Sequence, residues 1–108
     1  MKKKNIILRQ EADWDIDDAL SFYISESASA GYSFLDEVEH ALKHIAQHPA
    51  SGSNRYAHAL NFPGLKSWRL SRFPYIILYF EYEASIHVLR MFHTKRDISH
   101  LLLSSDME

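Results

Sequence analysis

The spacing of apolar residues differs between the two halves of the chain. In the first half, apolar residues recur every three or four positions, which places them on one face of an α-helix. One such stripe comprises Ala12, Ile16, Ala19 and Tyr23. A second comprises Leu35, Val38, Leu42 and Ile45. The pattern therefore predicts two amphipathic helices that bury their stripes in a common core.

The ends of these helices are indicated by residues that cap or break helical structure. Carboxylates crowd the start of the first helix, where the helix dipole favours negative charge. Small and polar residues at 27–31 indicate a break between the helices. Pro49 disfavours helical geometry at His48, so the second helix is predicted to end there. The two helices then form an antiparallel hairpin.

In the second half the spacing shortens to two, which is typical of β-strands. Residues 65–71 alternate, with Trp68 and Leu70 on one face. Residues 75–80 are apolar or aromatic throughout, as expected of a central strand that is covered on both faces. Residues 85–92 form a third strand of the same group, and short links between these strands predict hairpins.

Three further segments complete the predicted fold. Residues 4–9 are predicted to form a short first strand, residues 50–64 a long irregular loop, and residues 97–103 a short final turn or helix capped by Asp97. The predicted class is α+β: an N-terminal strand, an antiparallel helical hairpin, an antiparallel strand meander, and a short C-terminal helix or tail. A chain of 108 residues is expected to form a single domain over residues 1–108.

Composition narrows the class of protein without identifying it. The chain has no cysteine, which excludes disulfides and thiolate metal sites. Neither the short apolar stretch after the N-terminal lysines nor any later run is long enough for a signal peptide or a membrane span. We therefore expect a soluble, cytoplasmic protein that does not contact a membrane. The net charge of −2 argues against strong direct binding of nucleic acid.

Three stretches of the sequence resemble a known family. They are PGLKSWR at 63–69, FPYIILY at 73–79 and VLRMFHTKRDI at 88–98. The first two are similar to the central hairpin of ParE-type toxins, and the third to the last strand and exit of the RelE/ParE superfamily. The acidic start of the first helix and His48-Pro49 also fit. The resemblance covers nearly the whole chain and favours the ParE branch.

The resemblance implies the toxin of a type II toxin–antitoxin pair, neutralised by a cognate antitoxin. ParE members are described as poisons of DNA gyrase, whereas RelE members cut messenger RNA on the ribosome. Because both groups have the same fold, the fold alone does not distinguish gyrase poisoning from messenger RNA cleavage. Three hypotheses follow: a gyrase-binding toxin, a RelE-like endoribonuclease, and an inactive member that serves as an interaction module. This chain departs from the usual basic character of such toxins, because it is mildly acidic.

Cleavage of RNA would need acid–base groups and cations around the phosphate. The main candidates are Arg69, Arg90 and His93, with Lys95 and Arg96 as further cations. Arg69 and Arg90 are placed on strands that could be neighbours. Tyr75 or Tyr79 could stack on a base or donate a proton. A structural interpretation competes at each position: Arg90 could pair with Asp97 or a first-helix carboxylate, and His93 could be a structural hydrogen-bonding residue.

Under the protein-binding hypothesis, we expect an exposed apolar groove and a cationic rim at the exit of the last strand. The predicted target- or antitoxin-binding residues are Trp68, Arg69, Phe73, Tyr75, Arg90, His93 and Arg96. No metal or cofactor is predicted, because the i, i+4 spacing of His40, His44 and His48 is interpreted as a polar helix face. A homodimer or a larger toxin–antitoxin assembly is compatible with the sequence.

Overall fold

The computed structural model describes residues 4–96, and within them the fold is of the predicted α+β class. In chain order the elements are β1 (Asn5–Leu8), α1 (Gln10–Glu26), α2 (Ala28–Gln47), α3 (Arg55–Ala59), β2 (Lys66–Arg69), β3 (Tyr75–Glu81) and β4 (Ser85–His93). The turn or helix predicted for 97–103 lies outside the described residues.

The helical hairpin is tighter than the sequence predicts. Only Ser27 separates α1 from α2, and its side chain caps α2 by accepting a hydrogen bond from the Ala30 amide at 3.0 Å. Gly31, which the sequence places in the break, lies inside α2. A Cβ there would lie 2.6 Å from Cγ1 of Ile24, so the close approach of the helices depends on this glycine.

The four strands form one sheet in the order β1-β4-β3-β2. The predicted meander is confirmed, because β2, β3 and β4 are joined by antiparallel pairing, and the uniformly apolar β3 has a strand on each side. The first strand pairs with β4 in parallel, from Asn5 opposite Ser85 to Leu8 opposite Val88. The first strand thus covers only the beginning of β4, from Ser85 to Val88.

Each face of the sheet buries its own apolar cluster. The face toward α1 and α2 is the larger core, and Phe34, Ile45, Ile77 and Tyr79 are fully buried there. The opposite face buries Leu65, Ile76, Leu78, Leu89 and Phe92. Apolar burial on both faces is the main stabilising contribution to the fold.

The prediction of an irregular loop at 50–64 is wrong. This segment contains α3 and most of a 3-10 turn at Pro49–Ser51. Tyr56 and Ala57 on α3, followed by Leu60, pack against the second face of the sheet, and the Tyr56 ring meets Phe92 edge-on at 5.7 Å. A helix of five residues is too short to show a periodic apolar pattern, so the polar and glycine residues around it favoured a loop.

Candidate protein-binding site

A groove of about 320 Å³ lies between α1 and the C-terminal part of β4. Its lining residues are Asp15, Asp18, Ala19, Phe22, Tyr75, Met91, Phe92, His93 and Arg96. The groove therefore combines an apolar floor with carboxylates on the α1 side and His93 and Arg96 on the β4 side. Of the predicted binding residues, Tyr75, His93 and Arg96 meet here.

The groove exists because β1 is shorter than β4. The last contact between these strands is the Arg9 amide, which donates to the Val88 carbonyl at 2.9 Å. Beyond Val88, no strand of the described residues 4–96 covers this edge of β4. The Met91 amide points away from β3 and donates instead to Oδ2 of Asp15 at 3.0 Å. An uncovered strand edge of this kind can pair with another chain.

Arg90 is held by Asp15 in a two-pronged ion pair. Its Nε donates to Oδ2 at 2.7 Å and one terminal nitrogen donates to Oδ1 at 3.1 Å, while both side chains are about 15% exposed. The hydrogen bond with Asp15, opposed by burial and aided by the nearby Glu11 charge, raises the pKa of Arg90. The structural interpretation of Arg90, an ion pair with a first-helix carboxylate, is thus what the structure shows.

A β-bulge explains why Arg90 reaches α1. Tyr79 pairs with Val88 but Leu78 pairs with Arg90, so β4 has one extra residue between these two pairs. An extra residue interrupts the alternation of side chains and re-aims those that follow. Leu89 is buried in the second-face cluster, and Arg90 is directed to α1 instead of lying over Leu78.

His93 and Tyr75 form the end wall of the groove. Nδ1 of His93 accepts a hydrogen bond from the Lys95 amide at 3.1 Å, and its ring lies 5.4 Å from that of Tyr75. Burial, followed by the neighbouring Tyr23 hydroxyl, raises the pKa of Tyr75 to about 12. Tyr75 therefore stays protonated at neutral pH. The Tyr75 ring packs against the rings of Tyr23 and Phe34, with ring centroids 6.3 and 5.7 Å away.

The expectation that Arg69 and Arg90 converge is wrong. Their strands, β2 and β4, are separated by β3. Arg69 pairs with Ile76, whose side chain belongs to the second-face cluster, whereas Arg90 contacts α1 on the other face. Arg69, Arg90 and His93 are therefore not gathered around one point where a phosphate could bind.

Other aromatic candidates are used in packing. Trp68 stacks on His44 at 4.2 Å, and Phe73 packs edge-on against Tyr23 and Phe34 at 4.9 and 5.4 Å. Tyr79 is fully buried, its hydroxyl donates to the Pro49 carbonyl at 2.7 Å, and burial raises its pKa to about 12. Tyr79 is therefore no candidate for proton transfer.

The sequence analysis missed the residues that give the surface its apolar character. Phe22 on α1, which is not among the predicted binding residues, is 55% exposed beside the groove. On the helices, Trp14, Ile24 and Tyr32 are exposed as well. Their exposure could be predicted, because Trp14, Phe22, Ile24 and Tyr32 all lie outside the two apolar stripes that mark the buried faces of the helices.

The helix histidines make no metal centre. Among residues 4–96, no group of three or more histidine, cysteine or acidic side chains is placed to hold a metal ion. Besides stacking on Trp68, His44 hydrogen-bonds Oγ of Ser51 at 3.0 Å, and His40 bonds the Asp36 carbonyl. In the same part of the chain, no helix is long and apolar enough to cross a membrane.

The fold, a helical hairpin packed on a meander sheet, is similar to that of a solved structure. A solved structure described as the chromosomal ParDE TA system from P. aeruginosa is similar, with a TM-score of 0.71 and 17% identity over 86% of this chain and 98% of that chain. At this identity the likeness defines the fold alone. No curated protein matches the chain significantly.

A family model identifies the particular group. The model of the ParE toxin of type II toxin–antitoxin system, parDE, matches residues 6–98, which is most of the chain. The protein belongs to the ParE toxin family.

Proposed function

We propose that this protein is a toxin that is neutralised by a cognate antitoxin and acts in the cytoplasm by binding and poisoning DNA gyrase. Membership of the ParE family supports a toxin of a type II system. The choice of protein binding over RNA cleavage rests mainly on one observation. Arg90, one of the three candidates for a ribonuclease site, is tied to Asp15, and Arg69 lies on the opposite face of the sheet, opposite Ile76.

The antitoxin is proposed to bind in the groove between α1 and β4. Its apolar floor and the uncovered edge of β4 suit an extended segment that adds a strand and inserts an apolar side chain beside Phe22. His93 and Arg96 supply polar contacts at the rim. Trp68, Arg69 and Phe73, which the sequence also predicts as binding residues, do not line this groove. We therefore do not assign them direct contacts with the antitoxin.

The antitoxin part of the proposal is tested with Phe22→Asp and a matched control, Tyr82→Asp. Both residues are exposed aromatics, but Tyr82 follows β3, outside the groove. The antitoxin is the protein encoded by the reading frame beside the toxin's own. Phe22→Asp is expected to weaken its binding by more than about tenfold, as for an interface anchor, and Tyr82→Asp to change it little. Equal effects of the two variants would contradict the groove assignment.

The target is tested by inducing the toxin alone in cells. The gyrase proposal predicts relaxed plasmid DNA and broken chromosomes while messages remain intact. Rapid cutting of ribosome-bound messages would favour the RelE-like endoribonuclease instead. Normal growth, normal supercoiling and intact messages would indicate an inactive family member that serves as an interaction module.

A further inference from the structure

A second concavity lies near the turn of the helical hairpin, and it shares no lining residue with the groove. We call it the hairpin pocket. It has a volume of about 130 Å³, and its lining residues are Leu20, Ile24, Ala28, Gly31, Tyr32 and Leu35. Ile24 is 54% exposed and Tyr32 71% exposed. Two large side chains of this kind at the rim of a pocket are costly to leave in water, which marks a surface that another protein covers.

The pocket is concave because small residues stand between large ones. Ala28 and Gly31 lie on the first turns of α2, opposite Ile24 near the end of α1. A Cβ at Gly31 would lie 2.6 Å from Cγ1 of Ile24, so Ile24 packs directly on the glycine and forms one wall of the pocket. The shape suits one inserted aliphatic or aromatic side chain.

Carboxylates flank the pocket along both helices. On α1, Asp17 precedes Leu20 by three residues; on α2, Glu39 follows Leu35 by four. Both are exposed, and no ion pair within residues 4–96 uses them. Asp13 and Lys43 each lie one turn farther from the pocket, and their charges have opposite signs. The charge next to the pocket is therefore negative.

The negative charge beside the hairpin pocket also argues against two possible occupants of it, the chain's own termini and a second copy of the chain. Residues 97–108 carry three acidic residues and neither lysine nor arginine. Lysines precede β1, but Lys4 is held at the far end of α2, where its amide donates to the Ala46 carbonyl. A symmetric contact with a second copy would bring like charges together, which is unfavourable.

We propose that the hairpin pocket binds the toxin's protein target, through an element that inserts an apolar side chain flanked by lysine or arginine. The inference rests on the proposed function, in that it assumes a toxin with a protein target. It assigns the antitoxin and the target to different surfaces. Charge complementarity of this kind contributes to specificity and to the rate of association.

The test uses the full chain with Tyr32→Ala and the double variant Asp17→Lys with Glu39→Lys. The controls are Tyr82→Ala and Glu83→Lys, which change exposed residues of the same types beyond β3. Each variant is induced at matched abundance, and growth inhibition, antitoxin affinity and thermal unfolding are measured. The double variant changes only exposed carboxylates, so the test does not depend on how Tyr32→Ala folds.

The hairpin-pocket variants are expected to need about tenfold more toxin for equal growth inhibition, as for loss of an interface anchor. Their antitoxin affinity should stay within about twofold, because an interface substitution acts on the contact it touches. Undiminished toxicity of both pocket variants would overturn the inference, and so would loss of antitoxin affinity, which would assign the pocket to the antitoxin. Growth inhibition without any effect on gyrase would refute only the gyrase proposal. A wild-type chain that does not inhibit growth would refute both.

Discussion

At the scale of single residues, Asp15 connects two elements that are far apart in the sequence. Its carboxylate accepts two hydrogen bonds from Arg90 and one from the Met91 amide. The same side chain lines the groove, so it fixes the floor of the proposed antitoxin site as well as the packing of α1 on β4.

We predict that Asp15→Asn destabilises the protein by about 2 kcal/mol, because it weakens the charge-assisted hydrogen bonds from Arg90 and from the Met91 amide in a largely buried place. The measurement is the free energy of unfolding in urea. Asp17→Asn is the control, since Asp17 is exposed and has no ion pair within residues 4–96. A similar loss in both variants would show that the ion pair with Arg90 contributes nothing specific.

The charge of Glu37 is expected to contribute to the pH dependence of stability at low pH. Burial raises its pKa, but hydrogen bonds from the Ser71 amide at 2.6 Å and from Arg72 outweigh burial, so the pKa lies below its ordinary value of 4.5. A lowered pKa in the folded state gives stability that is complete above 4.5 and disappears as the pH falls through the folded value.

We therefore predict that Glu37→Gln lowers the free energy of unfolding by about 1–2 kcal/mol at pH 7, as for loss of charge-assisted hydrogen bonds. The difference from wild type should shrink progressively below pH 4.5. Urea unfolding of both proteins from pH 7 to pH 3 measures it. A difference that is constant over this range would mean that the charge of Glu37 is irrelevant.

At the scale of elements, the segment after α2 is fastened to the sheet by several contacts. The amides of Ser53 and Ser67 each donate to the other's carbonyl, at 2.9 and 2.8 Å, which protects the edge of β2. Gly52 precedes this bridge, and a Cβ there would meet the Tyr79 hydroxyl and lie 2.9 Å from the Ser67 carbonyl oxygen.

Gly52→Ala is expected to destabilise the protein by about 1–3 kcal/mol, because an added methyl group forces buried neighbours to move. Hydrogen exchange should speed up at the Ser53 and Ser67 amides before it does so at the centre of β3. Unchanged exchange at both serines would indicate that the segment tolerates a side chain at this position.

How much the sequence could predict also depends on the element. The stripes located both long helices, since Ala12 and Ile45 are fully buried as expected. The five-residue α3 was missed because one turn shows no period. The sequence predicts a groove at the exit of β4 but not the part that α1 plays in it, because the bulge before Arg90, and the pairing of Arg90 with a carboxylate 75 positions away, depend on tertiary contacts that periodicity does not contain.

At the scale of the whole molecule, the two proposed binding surfaces lie on different parts of the fold. The groove joins α1 to the end of β4, and the hairpin pocket lies near the turn between α1 and α2. The match over residues 6–98 places this protein in the ParE toxin family. The separation of Arg69 from Arg90, and the ion pair that holds Arg90, favour binding over catalysis.

The most direct test of the central claim is a supercoiling assay with the purified protein, purified DNA gyrase and relaxed plasmid. If the protein poisons gyrase, it lowers supercoiling by gyrase, and linear, gyrase-cleaved plasmid accumulates in proportion to the amount of protein added. Addition of the antitoxin should restore supercoiling. Gyrase poisoning would be contradicted if the folded protein left supercoiling by gyrase unchanged and instead cut messenger RNA on purified ribosomes.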